Sequence, residues 1–208
     1  MPLDLATLVD PRHTALVTQE IQRGVVGDMA SGLPELAQNA RETFPRIARL
    51  CSAARSAGVP VIHATAVRRP DGLGANENAR IFQAMKRVDG MLAPGSESSE
   101  IVPEVPVHES DLVLPRYHGM SPFQGTEIDF ILRNLGVSSI VGVGVSVNIA
   151  ITNFAFDAVN SSYQMVIPRD AVAGFPNDYV EAVFANTLGA VATLVQAEDV
   201  VAVWEAAA

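Results

Sequence analysis

Two charged side chains in the sequence are of types that can act together in catalysis, and both lie where a site would form. Glu20 follows the apolar segment Thr14-Ala-Leu-Val-Thr, and Arg116 follows Asp111-Leu-Val-Leu; each segment predicts a strand. The carboxyl ends of parallel strands meet at one edge of a sheet, where ligands bind. A carboxyl group and a guanidinium that face each other there can act as general acid or base and as an electrostatic clamp. The alternative is an ion pair that only supports the sheet rim.

Ala150 lies where the surrounding sequence predicts a reactive side chain. The segment from Ser139 to Phe154 predicts a buried strand, a tight turn that contains glycine and the start of a helix. The backbone amides of such a turn point at the ligand and can hold negative charge. Alanine carries no nucleophile, so the sequence predicts the scaffold of a pocket without the group that would attack a substrate.

Length and composition indicate one globular domain that spans residues 1–208. Apolar residues make up 49% of the chain and charged residues 18%, which is typical of a protein with its own core. The net charge of −9 argues against nucleic acid or an anionic membrane as a partner, because both attract basic surfaces. We therefore expect a small-molecule partner.

Neither a membrane span nor a signal peptide is predicted. No apolar run reaches the ~20 residues that cross a bilayer, and the first residues lack a basic region followed by an apolar one. Cys51 is the single cysteine, so it forms no internal disulfide, and the apolar pattern of Ile47, Leu50 and Ala54 around it predicts core packing. We expect a cytoplasmic protein.

Strands and helices alternate along the sequence. Strand patterns cover residues 14–18, 60–65, 111–114, 140–143, 164–167 and 191–195, and helical patterns cover 33–57, 79–87, 126–135, 148–160, 178–188 and a last stretch ending near Trp204. Pro45 is expected to restart the first long helix, with Thr43 as its N-cap, and Thr126 to cap a later one. Residues 68–106 are rich in Gly, Pro, Ser and Asn and predict an excursion over the sheet edge. The alternation predicts a doubly wound, three-layer α/β/α, Rossmann-like fold with a mainly parallel sheet of about six strands.

Several motifs, in order, resemble one family. Thr14-Ala-Leu-Val-Thr-Gln-Glu-Ile-Gln is similar to the opening strand of the isochorismatase-like cysteine hydrolases, which typically ends in Asp-x-Gln. Ser121-Pro-Phe-Gln-Gly-Thr-Glu-Ile-Asp resembles the family's Ser-x-Phe-x-Gly-Thr-x-Leu stretch. Gly144-Val-Ser-Val-Asn-Ile-Ala, then Asp157-Ala and Arg169-Asp-Ala, resemble its Gly-Val-x-Thr-x-x-Cys, Asp-Ala and Asp-Ala run. The resemblance extends from about residue 14 to residue 204 and implies the strand order 3-2-1-4-5-6.

The resemblance implies a catalytic site in which all three family residues are replaced. Family members use an Asp, a Lys and a Cys, and a non-proline cis peptide shapes their oxyanion hole. Here Glu20 takes the Asp place, Ala150 takes the Cys place, and either Arg116 or Tyr117 takes the Lys place. The cis bond is expected at Val145–Ser146, with the amides of Ser146 and Ala150 forming the hole.

Further residues are expected to contact a substrate at this site. They are Gln22, Tyr117, His118, Phe123 and Ser146. Arg68 and Arg69 follow the second strand and either reach an anionic substrate or belong to a solvated loop or subunit contact.

We expect neither a metal nor a cofactor. The nicotinamidase branch of the family binds a metal through Asp and His residues after the second strand, where this chain has Val67-Arg-Arg-Pro-Asp-Gly. Gly142-Val-Gly-Val-Ser-Val lacks the third glycine of a dinucleotide-binding fingerprint and follows the wrong strand.

Three functional hypotheses remain open. The first is a small-molecule hydrolase without a cysteine nucleophile, in which Glu20 is the acid or base and Arg116 its partner; isochorismatases proper also lack the cysteine. The second is a catalytically inactive member that binds ligand or supports assembly. The third is a serine hydrolase in which Ser146 is activated by His118. The apolar content, the mean hydropathy of +0.23 and the resemblance also predict a homo-oligomer, a dimer or higher.

Overall fold

The computed structural model describes residues 4–85 and 92–208, and its named strands form one parallel sheet. The strands are β1 (Thr14–Gln19), β2 (Val61–Ala66), β3 (Leu112–Arg116), β4 (Ser139–Val145), β5 (Gln164–Pro168), β6 (Val172–Ala173) and β7 (Thr193–Val195). Their order is β3-β2-β1-β4-β5-β7, and β6 pairs with the end of β4. The doubly wound, mainly parallel α/β fold that the alternation predicts is confirmed.

Helices cover both faces of the sheet. They are α1 (Leu5–Leu8), α2 (Pro34–Arg41), α3 (Phe44–Ser56), α4 (Arg80–Met85), α5 (Ile128–Asn134), α6 (Thr152–Asn160), α7 (Asn177–Val183), α8 (Gly189–Val191) and α9 (Ala197–Ala207). Two π-helical turns, Val147–Ile151 and Phe184–Leu188, and three 3₁₀ turns, Pro11–His13, Glu97–Ser99 and Arg169–Ala171, join these elements. In the described part of the chain, no helix is long and apolar enough to cross a bilayer.

Side chains of β1 alternate between two apolar cores, as the two-residue period of a strand requires. Leu16 packs on the face covered by α3 and α9, where Trp204 is fully buried. Val17 points to the opposite core, formed with α5 and α6 and including Phe154. All six residues of β1 are buried, so the carboxyl end of this strand lies within the protein.

The six predicted strands are present, and β6 is an addition to them. β5 pairs with the first half of β4, and β6 pairs with its last residues through Gly144↔Val172 and Val145↔Ala173. A strand of two residues is too short to show a period in the sequence. The predicted last strand also begins too early, because Val191 belongs to α8.

The helix predicted over residues 33–57 is two helices, α2 and α3. Thr43 precedes α3, but its hydroxyl donates to Ala40 O (2.7 Å) and does not cap the helix. Thr126 does accept a hydrogen bond from Ile128 N (3.2 Å), although α5 begins two residues later than expected. The predicted helix over residues 148–160 starts with a π-helical turn. The predicted helix over residues 79–87 corresponds to α4, and its positions 86–87 lie outside the described residues.

A buried polar cluster, which we call the His63 network, links β1, β2 and α3. It consists of Thr18, His63, Asp111 and Arg55. Thr18 Oγ1 lies 2.8 Å from His63 Nδ1, and His63 Nε2 lies 3.2 Å from Asp111 Oδ2. Arg55 donates two hydrogen bonds to the same carboxylate, at 2.6 and 3.0 Å. His63 is fully buried in this position.

Candidate active site

The carboxyl ends of β1, β3 and β4 meet at one edge of the sheet and open into a cavity of about 480 Å³. The register sets this arrangement, because Gln19 pairs with Gly144 and Ala66 pairs with Arg116. The residues that follow these pairs therefore come to the same edge. Glu20, Arg116, Ser146 and Ala150 all line the cavity.

Glu20 and Arg116 form an ion pair at the floor of the cavity. Arg116 Nη2 donates to Glu20 Oε1 across the end of β2, and the two side chains are only 7% and 18% exposed, respectively. Glu20 has a left-handed backbone with φ of 54°, and its amide donates to Ala64 O (2.9 Å). Such a backbone is uncommon for a residue other than glycine and is found preferentially at functional sites.

The environment of Glu20 favours its protonated form. Burial raises the pKa of the Glu20 carboxyl above its ordinary value, and the charge of Arg116 opposes this shift without cancelling it. A carboxyl group whose pKa is raised retains its proton closer to neutral pH. It can then donate that proton to a leaving group.

Arg116 is held in place by the loop that follows it. Its Nη1 donates to His118 O (3.3 Å) and to Gly119 O, so the loop wraps around the guanidinium. Gln19 Nε2 donates to Met120 O (2.8 Å) and fixes the far end of the loop to β1. Tyr117 is 45% exposed at the cavity wall. The geometry thus places Arg116 and not Tyr117 against the Glu20 carboxylate.

The segment after β4 contributes backbone groups to the cavity, and Ala150 contributes no reactive side chain. Val145–Ser146 is a cis peptide bond, as the resemblance predicts. Ser146 O accepts hydrogen bonds from Ile149 N (3.2 Å) and Ile151 N (2.9 Å), which close the π-helical turn. Ala150 is 6% exposed, and its methyl group is part of the cavity wall.

Gly144 allows β4 to approach β1 closely just before this turn. Its φ is 110°, and a Cβ at this position would lie 2.2 Å from Gln19 O. No side chain fits there without moving the backbone of one strand. Glycine therefore holds the residue after Gln19 and the turn after Gly144 at a fixed separation.

Three of the five predicted substrate contacts line the cavity. They are Tyr117, His118 and Ser146. His118 is exposed, and within residues 4–85 and 92–208 no hydrogen bond joins its ring to Ser146. The geometry therefore gives the serine mechanism no support.

The structure corrects the expected positions of Gln22 and Phe123, which do not line the cavity. The Gln22 carboxamide donates to Ala66 O (2.8 Å) and Ser99 O (3.0 Å) and accepts from Ala66 N (2.7 Å), so it ties β2 to the excursion. The Phe123 ring packs against Phe154 and Tyr163, with centroids 5.9 and 5.8 Å away. Both side chains are used by the fold.

Other cavity residues could not be identified from the sequence. Leu33 and Leu36 come from the start of α2, and Arg80, Ile81 and Phe82 come from α4. The glycine and proline content of residues 68–106 predicts an excursion but not which side chains it turns inward. Arg68 lines the cavity, whereas Arg69 points away and pairs with Asp71 (2.7 Å).

Cys51 is remote from this cavity. It is 1% exposed in the core under α3, and burial raises the pKa of its thiol to about 12. The expectation of core packing is confirmed. Within the described ranges, no three His, Cys, Asp or Glu side chains are grouped so as to hold a metal ion.

The sequence matches one protein-family profile and several curated relatives. The family profile described as "Isochorismatase domain" matches residues 14–199. A curated relative, the ureidoacrylate amidohydrolase RutB of Rhizobium rhizogenes, is 27% identical over 188 residues, which are 82% of this chain and 74% of the relative.

Solved structures agree with the fold. A cysteine hydrolase from Pseudomonas syringae pv. phaseolicola superposes with a TM-score of 0.82 at 21% identity, covering 97% of this chain and 96% of the other. An isochorismatase family protein from Desulfovibrio vulgaris gives a TM-score of 0.78 at 28% identity, covering 92% and 99%.

Proposed function

The chain belongs to the isochorismatase family, and from this premise we propose that it is a small-molecule hydrolase that acts without a cysteine nucleophile. The observation that carries the proposal is the position of Glu20. Among the described residues that line the cavity it is the one carboxyl group, and it contacts Arg116. Its pKa is raised by burial, which suits a proton donor.

In the proposed reaction, Glu20 gives its proton to the leaving group while water adds to the scissile carbon. The bond between that carbon and the leaving group breaks, and a proton from the attacking water returns to the Glu20 carboxylate. Arg116 stays charged throughout and stabilises the carboxylate form between these transfers. The amides of Ser146 and Ala150 are proposed to face the oxygen on which negative charge develops.

Amides and ureides come first among the substrates to test, because one relative is named a ureidoacrylate amidohydrolase. Esters and enol ethers complete the panel. Hydrolysis is followed for the wild type, for Glu20→Gln and for Ser146→Ala, with and without iodoacetamide. The proposal expects activity that requires Glu20 and survives alkylation. Full activity in Glu20→Gln contradicts it, and loss confined to Ser146→Ala would assign a serine mechanism instead.

One observation favours a second candidate, a catalytically inactive member that binds a ligand. Ala150 lines the cavity, and the resemblance assigns it to the position of the family nucleophile. If the wild type hydrolyses no member of the panel and Ala150→Cys creates an amidase, the inactive member is the correct assignment.

We also propose a cytoplasmic homo-oligomer, a dimer or higher. Several large apolar side chains are exposed, with Phe130 at 71% and Leu73 at 73%. Such surface is often covered by a second subunit. Light scattering over a range of concentrations tests this, and a constant monomer mass would contradict it.

A further inference from the structure

The cavity carries the opposite charge from the protein as a whole. The chain has a net charge of −9, but the described residues of the cavity wall include three arginines and one acid. The Arg116 guanidinium is in contact with the Glu20 carboxyl group. Arg68 and Arg80 add further positive charge at the cavity wall of a protein whose net charge is negative.

Arg68 lines the cavity and forms no ion pair with a described residue. Its amide donates to Leu92 O (2.9 Å), which fixes the backbone at the cavity rim. Its guanidinium lies against Gly72, where a Cβ would come within 3.1 Å of Nη2. Gly72 therefore leaves room for the guanidinium beside the turn that it ends.

Neither guanidinium is paired within the described ranges. No carboxylate there lies within 4.0 Å of Arg68 or Arg80, whereas the adjacent Arg69 pairs with Asp71 at 2.7 Å. An arginine without a partner at the wall of a cavity retains all five N–H donors for a ligand. Carboxylates match the planar fork of such donors.

Much of the remaining cavity wall is apolar. Leu33, Leu36, Ile81, Phe82 and Ile149 line it. A purely polar anion would leave this surface in contact with water, whereas a ligand with an apolar body would cover it. The volume of about 480 Å³ is within the range of sites that enclose a small organic molecule.

We propose that Arg68 and Arg80 bind the carboxylate of a substrate whose body is apolar, and that these two residues determine specificity. This inference rests on the proposed function in one respect, because it takes the bound ligand to be a substrate. The binding site itself does not require that the protein be an enzyme.

The test measures binding of 3-phenylpropanoate and of 4-phenylbutan-2-one, its neutral methyl ketone, by calorimetry. Neither compound has a bond that the proposed reaction breaks, so failure of catalysis does not affect the result. We expect the carboxylate to bind about tenfold more tightly than the ketone at low salt, and the difference to shrink as salt screens the charges.

Variants identify the residues responsible. Arg68→Gln and Arg80→Gln are each expected to reduce carboxylate affinity roughly threefold to tenfold and leave ketone affinity unchanged. Arg68→Lys keeps the charge and should retain most of the preference. Arg69→Gln is the matched control, because its side chain is paired outside the cavity.

Three results would overturn the proposal. They are equal affinity for the two compounds, no binding of the carboxylate, and a loss in Arg69→Gln as large as in Arg68→Gln. Circular dichroism melting of each variant confirms that it is folded, so that a loss of binding reports on the site.

Discussion

The Glu20–Arg116 pair and the His63 network are built from the same interaction, a carboxylate against an arginine, and differ in outcome. Asp111 accepts hydrogen bonds from Arg55, from His108 N (2.8 Å) and from His63. Burial acts to raise the pKa of Asp111, but these donors outweigh it and the pKa is lowered. At Glu20 burial outweighs Arg116, and the pKa is raised. The balance between burial and the surrounding donors and charges sets the direction at each carboxyl group.

This difference fits the structural position of Asp111 and the catalytic role that we propose for Glu20. Asp111 is held ionised and its side chain is 1% exposed, so the His63 network has no free capacity for a ligand. Glu20 faces the cavity with a proton that it holds more tightly. A buried ion pair alone thus indicates neither stability nor catalysis, and its surroundings determine which role it has.

The largest expected effect is on catalysis at Glu20. Glu20→Gln removes the proton donor, and we expect turnover to fall by about 10²–10⁴-fold. The change in stability should be small, because glutamine has nearly the same shape and still accepts from Arg116. Steady-state kinetics and urea unfolding on the same preparation measure both quantities. If Glu20→Gln lost stability and activity together, Glu20 would not differ from Asp111 in its role.

The second prediction is that a substitution at Asp111 lowers stability and leaves catalysis nearly unchanged. Asp111→Ala leaves Arg55 and His63 without their buried partner, and we expect unfolding free energy to fall by about 3–5 kcal/mol. Its kcat/KM should stay near the wild-type value where the protein is folded. Asp28→Ala is the matched control, because Asp28 pairs with Arg23 at 2.9 Å on the surface. An exposed pair is expected to contribute less than about 1 kcal/mol.

The third prediction concerns pH. Burial lowers the pKa of His63, and the hydrogen bond and charge of Asp111 oppose this without cancelling it, while Arg55 adds to it. A histidine whose pKa is lower in the folded state costs stability as pH falls below its unfolded value of about 6.5. The unfolding free energy should therefore decline from pH 7 to pH 5, and less steeply in His63→Gln. His118→Gln removes an exposed ring outside the His63 network and is the control substitution.

The smallest effect is a change in thiol reactivity. Wild-type protein should resist iodoacetamide under native conditions, because Cys51 is buried and its thiol pKa is about 12. Ala150→Cys places a thiol at the cavity wall, and we expect alkylation at least about tenfold faster than at Cys51. Mass spectrometry after peptide digestion distinguishes the two positions. Equal labelling of both would contradict the position of residue 150 at the cavity.

Features set by local pattern could be predicted from the sequence. The alternation of Leu16 and Val17 between two cores follows from strand period, and the position of Glu20 follows from the end of β1. The cis bond at Val145–Ser146 followed from the resemblance of the surrounding motif. The sequence therefore predicts that the carboxyl ends of these strands meet at one edge of the sheet.

Features set by long-range packing could not be predicted. Gln22 follows the strand end just as Glu20 does, but its carboxamide is taken by Ala66 and Ser99, and the latter is far along the chain. Arg80 lines the cavity from α4, and the sequence has no period that reports this. Residues on loops over a site are the part of a fold that local patterns describe least well.

Gly144 has a consequence for how this site can be redesigned. A side chain there would collide with the carbonyl of Gln19, so the spacing between Glu20 and Ser146 is set by a residue that contacts no ligand. A saturation library should find position 144 as intolerant as position 20, although glycine has no side chain that could do chemistry. New specificities should be sought on the wall formed by Leu33, Ile81 and Phe82, where substitutions change the shape of the cavity and leave the strand ends in register.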